Sequence, residues 1–348
     1  MKNYIITILL LLVATEGLCD SIPCDFRMSD GITLHGAVIT PQEKNLKKMV
    51  IIVNHRQKTP EGSGPLYAYM IKRLSALGVS VCYFENRPAM KRDSSFITLF
   101  DMADDAVAVY KTLKANKMFR KYKMGFVGTS EEAASALIAA SKVPDPAFLI
   151  QLVGVIIPQH EKDMQTFTIN TPQFSLRIAD AVGMSFHDYS MIIQDIFNYC
   201  MTHQKVDKSA LEQQLVKQYG DKATKKNEDL PFPIAMQVLI ARVTDPQDGI
   251  VPRLHWNSKP YYKNVKCPIL LLQATDDRNA LCYPNLFEFE KIMNENHHKD
   301  YNTLLVDATH NLIPVSESRK LEHALSDDID YSRREQILDL VCKWILMK

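Results

Sequence analysis

The sequence predicts an α/β fold: a mostly parallel central sheet that begins with an antiparallel hairpin and is interrupted by an inserted block of helices. Three observations predict it. Apolar runs without polar alternation recur along the chain, as is typical of strands covered on both faces. Helical patterns separate these runs, and alternation of strands and helices implies a parallel sheet. Between about residues 160 and 262 only helical patterns remain, and then the strands resume.

Composition limits the class of protein. The chain has 348 residues, of which 46% are hydrophobic and 23% charged, as in an ordinary folded globular protein. The formal net charge is +1, and the sequence has no long block of like charges. It therefore lacks the charge pattern of a protein that binds nucleic acid or an anionic membrane. We therefore expect a small-molecule partner. The oligomeric state is left open.

The N-terminus has the features of a secretory signal peptide. A basic start is followed by the apolar run 4–14, which has the length of a signal-peptide core and is too short to span a membrane. We expect residues 1–19 to be removed by cleavage before Asp20, and the mature protein to be periplasmic or secreted. A lipoprotein attached through Cys19 is less favoured, because Leu18 is large for a lipobox.

The cysteines do not form a recognisable framework. After cleavage the remaining ones are Cys24, Cys82, Cys200, Cys267, Cys282 and Cys342. No C-x-x-C pair suggests zinc or redox chemistry, and the spacing assigns no disulfide. We interpret Cys82 and Cys342 as small buried hydrophobic residues.

The first elements are a hairpin and a series of buried strands. Asp30-Gly31 is a strong turn signal between the alternating segments Cys24–Met28 and Ile32–Ile39. The predicted buried strands are Val50–Val53, Val79–Phe84, Met124–Val127, Phe148–Ile157, Ile269–Leu272 and Thr303–Val306. The predicted helices around them are Leu66–Leu77, Asp101–Leu113, Leu286–Met293 and Arg334–Ile345.

The inserted block occupies residues 160–262, and the strand-bearing core comprises residues 20–159 and 263–348. Within the block, Ser185 is a predicted helix cap, and Ser209 with Glu212 forms a capping box for a helix that ends near Gly220. Trp256 and Tyr261-Tyr262, near the end of the block, are the candidates for a pocket wall.

One segment carries a candidate nucleophile. The strand Met124–Val127 leads into Gly128-Thr129-Ser130-Glu131-Glu132 and then into an alanine-rich helix. A serine at such a strand-to-helix turn is lifted above the end of the sheet, where a substrate can reach it. The alternative is that Ser130 only caps the helix.

A serine hydroxyl needs a base, usually a histidine that is oriented by a carboxylate. Asp276-Asp277 follows one predicted strand, and His310 follows the next. The order Ser130, Asp277, His310 is compatible with one catalytic triad, and Asp276 is the alternative acid. His297-His298 lies among charged residues, where we expect a solvated surface and no metal site.

Taken together, these motifs resemble the α/β-hydrolase superfamily, and within it the secreted bacterial serine esterases and serine aminopeptidase-like acyl hydrolases. The resemblance covers about residues 26–346 and rests on the Asp30-Gly31 hairpin, the turn Glu85-Asn86-Arg87, the segment around Ser130, Asp277 and His310. It implies Ser130 as nucleophile, His310 as general base and Asp277 as its orienting carboxylate. It also implies that the backbone N–H groups of Glu131 and Arg56 bind the oxyanion, and that no cofactor is needed. Arg87 is interpreted as a structural residue.

Two positions depart from the family pattern. The loop Asn54–Gln57 lacks the glycines that usually bring an oxyanion donor close, and Glu132 replaces the second glycine of G-x-S-x-G. An unscreened carboxylate about 5.5 Å from a developing oxyanion would cost roughly 3 kcal/mol at an effective dielectric constant of 20.

The sequence therefore predicts a serine hydrolase that cleaves carboxylic esters of small molecules through an acyl-enzyme. One alternative is a catalytically impaired hydrolase fold that binds a ligand or partner. Another is a peptidase acting on short peptides, with Asp188 or Asp195 of the inserted block as the anchor for the peptide amine.

Overall fold

The computed structural model describes residues 19–53, 64–85, 87, 97–165, 172–203, 205–225, 230–244, 254–321 and 332–348. The loop Asn54–Gln57 and, apart from Cys19, the predicted signal peptide lie outside these residues.

The described strands form one eight-stranded sheet in the order β1-β2-β4-β3-β5-β6-β7-β8. Their bounds are β1 Cys19–Arg27, β2 Thr33–Pro41, β3 Lys48–Val53, β4 Ser80–Phe84, β5 Lys123–Thr129, β6 Leu149–Leu152, β7 Ile269–Asp276 and β8 Tyr301–Thr309. The pairs β1–β2 and β2–β4 are antiparallel, and every other pair is parallel. The predicted fold class is confirmed.

The N-terminal hairpin turns where the sequence predicts. Arg27 pairs with Thr33, and the Met28 N–H donates to the Ile32 carbonyl at 2.7 Å. Gly31 has a φ of 84°, which glycine adopts without a steric penalty. The strands extend beyond the predicted segments because their outer residues are also paired.

Helices cover both faces of the sheet. Helices α1 Gly64–Ala76 and α12 Ser332–Met347 contribute to the apolar core on one face. Helices α2 Leu99–Ala115, α3 Glu131–Lys142 and α10 Cys282–Glu295 contribute to the core on the other face. A short helix α11, Val315–Leu321, follows β8. This layering explains why the strands read as continuous apolar runs.

The structure shortens one predicted strand. The apolar run Phe148–Ile157 continues past β6, but the strand ends at Leu152 because the backbone turns at Val153, which has a φ of 46°. The N–H groups of Ile156 and Ile157 donate to Asn285 Oδ1 at 2.6 and 3.1 Å instead of joining the sheet. A side chain from a distant helix thus satisfies buried backbone outside the sheet.

Helices recur through the described residues between β6 and β7. They are α4 Gln159–Gln165, α5 Pro172–Val182, α6 Phe186–Thr202, α7 Lys208–Tyr219, α8 Phe232–Val243 and α9 Lys259–Tyr262. The apolar faces of α5, α6, α7 and α8 form a core of their own, which includes Tyr189, Ile193 and Leu239. Within the described ranges, every helix of the protein is too short or too polar to span a membrane.

Details of this block confirm one cap and correct another. Ser185 caps α6 by accepting the Asp188 N–H, as predicted. The predicted cap Ser209 is wrong: α7 begins two residues earlier in the chain, and Asp207 accepts the Ala210 N–H at 3.0 Å. Asp and Ser are comparable caps, so the sequence alone does not choose between them.

The predictions about exposure have mixed outcomes. Trp256 and Tyr262 do not line an open wall, because both belong to the core that includes α2, α3 and α10 and are at most 2% exposed. Tyr261 is half-buried and packs against the same core. His298 is only half-exposed, and burial lowers the pKa of its ring, whereas His297 is exposed. The described cysteines are unbridged, and Cys82 and Cys342 are fully buried, as interpreted from the sequence.

Candidate active site

Ser130 lies at the sharp turn between β5 and α3. Its φ of 58° and ψ of −121° are unusual for any residue other than glycine and store on the order of 1–3 kcal/mol of backbone strain. The side chain makes no capping hydrogen bond to α3, which contradicts the alternative that Ser130 only caps the helix. The hydroxyl instead contacts His310 Nε2 at 2.9 Å.

The strand and helix at this turn pack closely at Gly128. A Cβ at this position would lie 2.2 Å from the Glu132 carbonyl oxygen, so glycine is required there. The close approach involves the backbone of Glu132, whose side chain is half-exposed. A large residue two positions after Ser130 is therefore compatible with the packing at Gly128.

The charge of the Glu132 carboxylate affects the pKa of a buried tyrosine, Tyr67, beside the turn. The Tyr67 hydroxyl hydrogen-bonds with Thr129 Oγ1 at 2.8 Å, directly before Ser130. Burial raises the pKa of Tyr67, and the nearby Glu132 charge raises it further. Tyr67 thus stays a neutral hydrogen-bonding group across the physiological pH range.

His310 directly follows β8 and is held by a tight turn. The Leu312 N–H donates to the Thr309 carbonyl at 2.9 Å, and the Thr309 N–H donates to the Ile313 carbonyl at 2.8 Å. Leu312 has a φ of 56° and is fully buried in the core. Burial of this side chain fixes the direction in which His310 leaves the strand.

Asp277, and not Asp276, contacts the histidine. Asp277 Oδ2 lies 2.7 Å from His310 Nδ1, and Oδ1 accepts the backbone N–H groups of Asn279 and Ala280 at 2.8 Å each. Its side chain is fully buried. Asp276 is the last residue of β7 and pairs with Thr309 across a register shift.

These three side chains form one hydrogen-bonded chain with a defined polarity. A carboxylate can only accept, so His310 Nδ1 carries the hydrogen that faces Asp277. In the neutral imidazole Nε2 is then the acceptor, and it faces the Ser130 hydroxyl. This arrangement can remove the serine proton as the oxygen attacks a carbonyl carbon.

The predicted oxyanion donors are only partly described. Glu131 is the first residue of α3, where backbone N–H groups point out of the helix end and favour a negative charge. Arg56, the second predicted donor, lies outside the described residues.

The acidic residues considered as peptide anchors have partners within the inserted block. Asp188 accepts from Ser185 Oγ and Lys222 Nζ, both at 2.6 Å. Asp195 accepts from the Tyr219 hydroxyl at 2.7 Å and from Gln218 at 3.0 Å. Both carboxylates stabilise contacts between helices of the block.

Arg87 has the structural role expected for it. Its guanidinium binds both carboxylate oxygens of Asp105 on α2, and it also binds Asp30 in the hairpin turn. The side chains of Arg87 and Asp105 are 8% and 4% exposed. By binding both carboxylates, Arg87 ties the N-terminal hairpin to α2.

Neither a protein-family model nor a curated protein sequence matches the chain. Solved structures do match. An esterase from Pyrococcus furiosus aligns with 94% of this chain and 92% of its own, at a TM-score of 0.51 and 15% identity. A dienelactone hydrolase from Anabaena variabilis aligns with 95% of this chain and 99% of its own, at a TM-score of 0.50 and 11% identity. The chain has the α/β-hydrolase fold.

A third structural neighbour is a protein called DcsB, solved in complex with its substrate analogue. It aligns with 94% of this chain and 99% of its own, at a TM-score of 0.52 and 12% identity. Identities this low show the fold alone, and one fold can carry many different activities.

Proposed function

We propose that this protein is a serine hydrolase that cleaves carboxylic esters of small molecules through an acyl-enzyme. The observation that carries the proposal is the hydrogen-bonded chain from Ser130 through His310 to the buried carboxylate of Asp277. Its location at the carboxyl ends of parallel strands, where this fold binds ligands, supports the proposal. So does the similarity in fold to proteins named esterase and dienelactone hydrolase.

The proposed reaction has two stages. Ser130 Oγ attacks the ester carbonyl while His310 Nε2 takes its proton, and the Glu131 N–H, with that of Arg56, stabilises the oxyanion. His310 then protonates the departing alcohol, which leaves Ser130 acylated. Water activated by the same imidazole releases the acid and restores the enzyme. No cofactor takes part in these steps.

Hydrolysis of p-nitrophenyl acetate and butyrate tests the proposal. Wild type should release p-nitrophenol in proportion to enzyme concentration, and Ser130→Ala should lose at least about a thousandfold in kcat. Equal rates in the two proteins would refute it.

We further propose export of the mature protein and a cap role for the helical block.

The second candidate, an impaired hydrolase fold that binds a ligand, is motivated by Glu132. Its charge beside the proposed oxyanion would oppose the reaction, although Glu132 has interactions of its own within the protein. Glu132→Gln keeps the shape and removes the charge, so it should raise kcat by up to about a hundredfold. Activity that appears in Glu132→Gln but not in wild type would favour this second candidate, the impaired hydrolase fold that binds a ligand.

A further inference from the structure

A buried glutamine of β6 contacts the first turn of α3. Gln151 lies opposite Gly128 in the parallel pairing of β5 and β6 and is completely buried. Its Nε2 donates to the Ala133 carbonyl at 3.1 Å. Because that carbonyl can only accept, the contact fixes the amide orientation and leaves Oε1 to accept from the Tyr262 hydroxyl.

The same strand also holds Ser130 through the backbone. The Ser130 N–H donates to the Leu152 carbonyl at 2.8 Å, and the Ala133 N–H donates to the Ser130 carbonyl at 3.2 Å. Strand β6 is therefore hydrogen-bonded to the turn at Ser130 and at Ala133, one on each side of Glu131 and Glu132. A strained backbone such as that of Ser130 persists only where its surroundings hold it.

Burial alone does not explain a glutamine at this position. The other β6 residues, Leu149, Ile150 and Leu152, are fully buried and apolar. A buried amide is unfavourable unless it is hydrogen-bonded, and here both of its ends have partners. The amide thus makes two hydrogen bonds that a leucine side chain could not make.

We propose that Gln151 is a positioning residue for Ser130. Its amide clamps the first turn of α3 to β6, keeps the Ser130 hydroxyl against His310 and keeps the Glu131 N–H directed at the oxyanion. Tyr262 orients the amide from the other side. The role in catalysis rests on the proposed function, whereas the clamp itself is a property of the fold.

The test compares Gln151→Leu with Gln273→Leu. Gln273 is a matched control because it is also fully buried on the next strand, and its Nε2 donates at 2.8 Å to the Gly154 carbonyl rather than to the backbone of α3. Gln151→Leu should lower kcat and the rate of fluorophosphonate labelling about 10- to 100-fold with little change in KM. Gln273→Leu should lower the melting temperature with both rates within about threefold of wild type. Equal losses of rate in the two variants would overturn the proposal.

Tyr262→Phe removes only one hydroxyl and keeps the test available if Gln151→Leu misfolds. It should lower the labelling rate several-fold, and it should have no further effect in the Gln151→Leu background, because both changes disrupt one chain of hydrogen bonds. Independent, additive losses would overturn the role of Tyr262 as the group that orients Gln151.

Hydrogen exchange separates failure of this inference from failure of the proposed function. In Gln151→Leu, amides of the peptide 128–137 should exchange faster than in wild type, and in Gln273→Leu they should not. Unchanged exchange in Gln151→Leu overturns the clamp, whether or not the protein is an enzyme. Faster exchange in Gln151→Leu, together with a folded wild-type protein that does not react with the probe, would keep the clamp and reject the proposed function.

Discussion

Replacing Asp277 by asparagine should reverse the polarity of the triad. Oδ1 of Asp277 accepts two backbone N–H groups at 2.8 Å, and hydrogen bonds of this kind to a charged group each contribute about 1.5–3 kcal/mol. In Asp277→Asn the new carbonyl oxygen must keep that place, because an amide nitrogen there would face two donors. The new NH₂ group therefore faces His310 Nδ1.

An NH₂ group only donates, so Nδ1 must accept and the ring hydrogen moves to Nε2. Nε2 then presents a hydrogen to Ser130 and cannot take the serine proton. The wrong tautomer should lower kcat by about four orders of magnitude, which corresponds to about 5.5 kcal/mol of transition-state stabilisation.

The assay is steady-state hydrolysis of p-nitrophenyl acetate, with far-UV circular dichroism as a check of folding. Asp276→Asn is the matched control: it changes the neighbouring carboxylate, which pairs with Thr309 in the sheet, and should stay within about fivefold of wild type. More than about a tenth of wild-type kcat in Asp277→Asn would refute the reasoning. So would a loss in Asp276→Asn as large as that in Asp277→Asn.

Three further predictions concern stability, measured by urea unfolding. Ser130→Gly should be more stable than Ser130→Ala by about 1 kcal/mol, because glycine populates the strained φ of 58° readily. Arg87→Met should cost about 3–5 kcal/mol, because it leaves the buried Asp105 carboxylate without its partner. His298→Phe should lose less free energy of unfolding than wild type as the pH falls from about 7 to 5. Burial lowers the pKa of His298 from its usual 6.5, so in acid the unfolded chain takes up a proton before the folded chain does, and wild type loses stability as pH falls.

Each of these predictions has an internal comparison. Ser130→Ala at least as stable as Ser130→Gly would argue against strain at the turn. Arg73→Met breaks a more exposed ion pair with Asp339 and should cost under about 1 kcal/mol; a similar cost for Arg87→Met would contradict its burial argument. A His298→Phe variant that loses stability between about pH 7 and 5 as steeply as wild type would contradict the third prediction.

The sequence is sufficient to locate the elements that carry the site. Ser130, Asp277 and His310 each directly follow a strand that reads as an apolar run, and parallel strands bring their carboxyl ends to one edge of the sheet. The hairpin at Gly31 is equally local, because it depends on one turn. These features need no knowledge of how distant segments pack.

Other features depend on tertiary structure and could not be predicted. The choice between Asp276 and Asp277 follows from a register shift between β7 and β8, which no local pattern encodes. The early end of β6 depends on Asn285, whose side chain comes from a helix far along the chain. Gln151 carries no motif, and its contacts appear only when α3 and α9 are packed on β6.

The most direct test of the central claim is whether Ser130 is an activated nucleophile. The purified mature protein would be treated with a fluorophosphonate probe beside Ser130→Ala, and the labelled peptide identified by mass spectrometry. We predict a single labelled residue, Ser130, and no labelling of Ser130→Ala. Folded wild-type protein that stays unlabelled, or labelling that persists in Ser130→Ala, would contradict it.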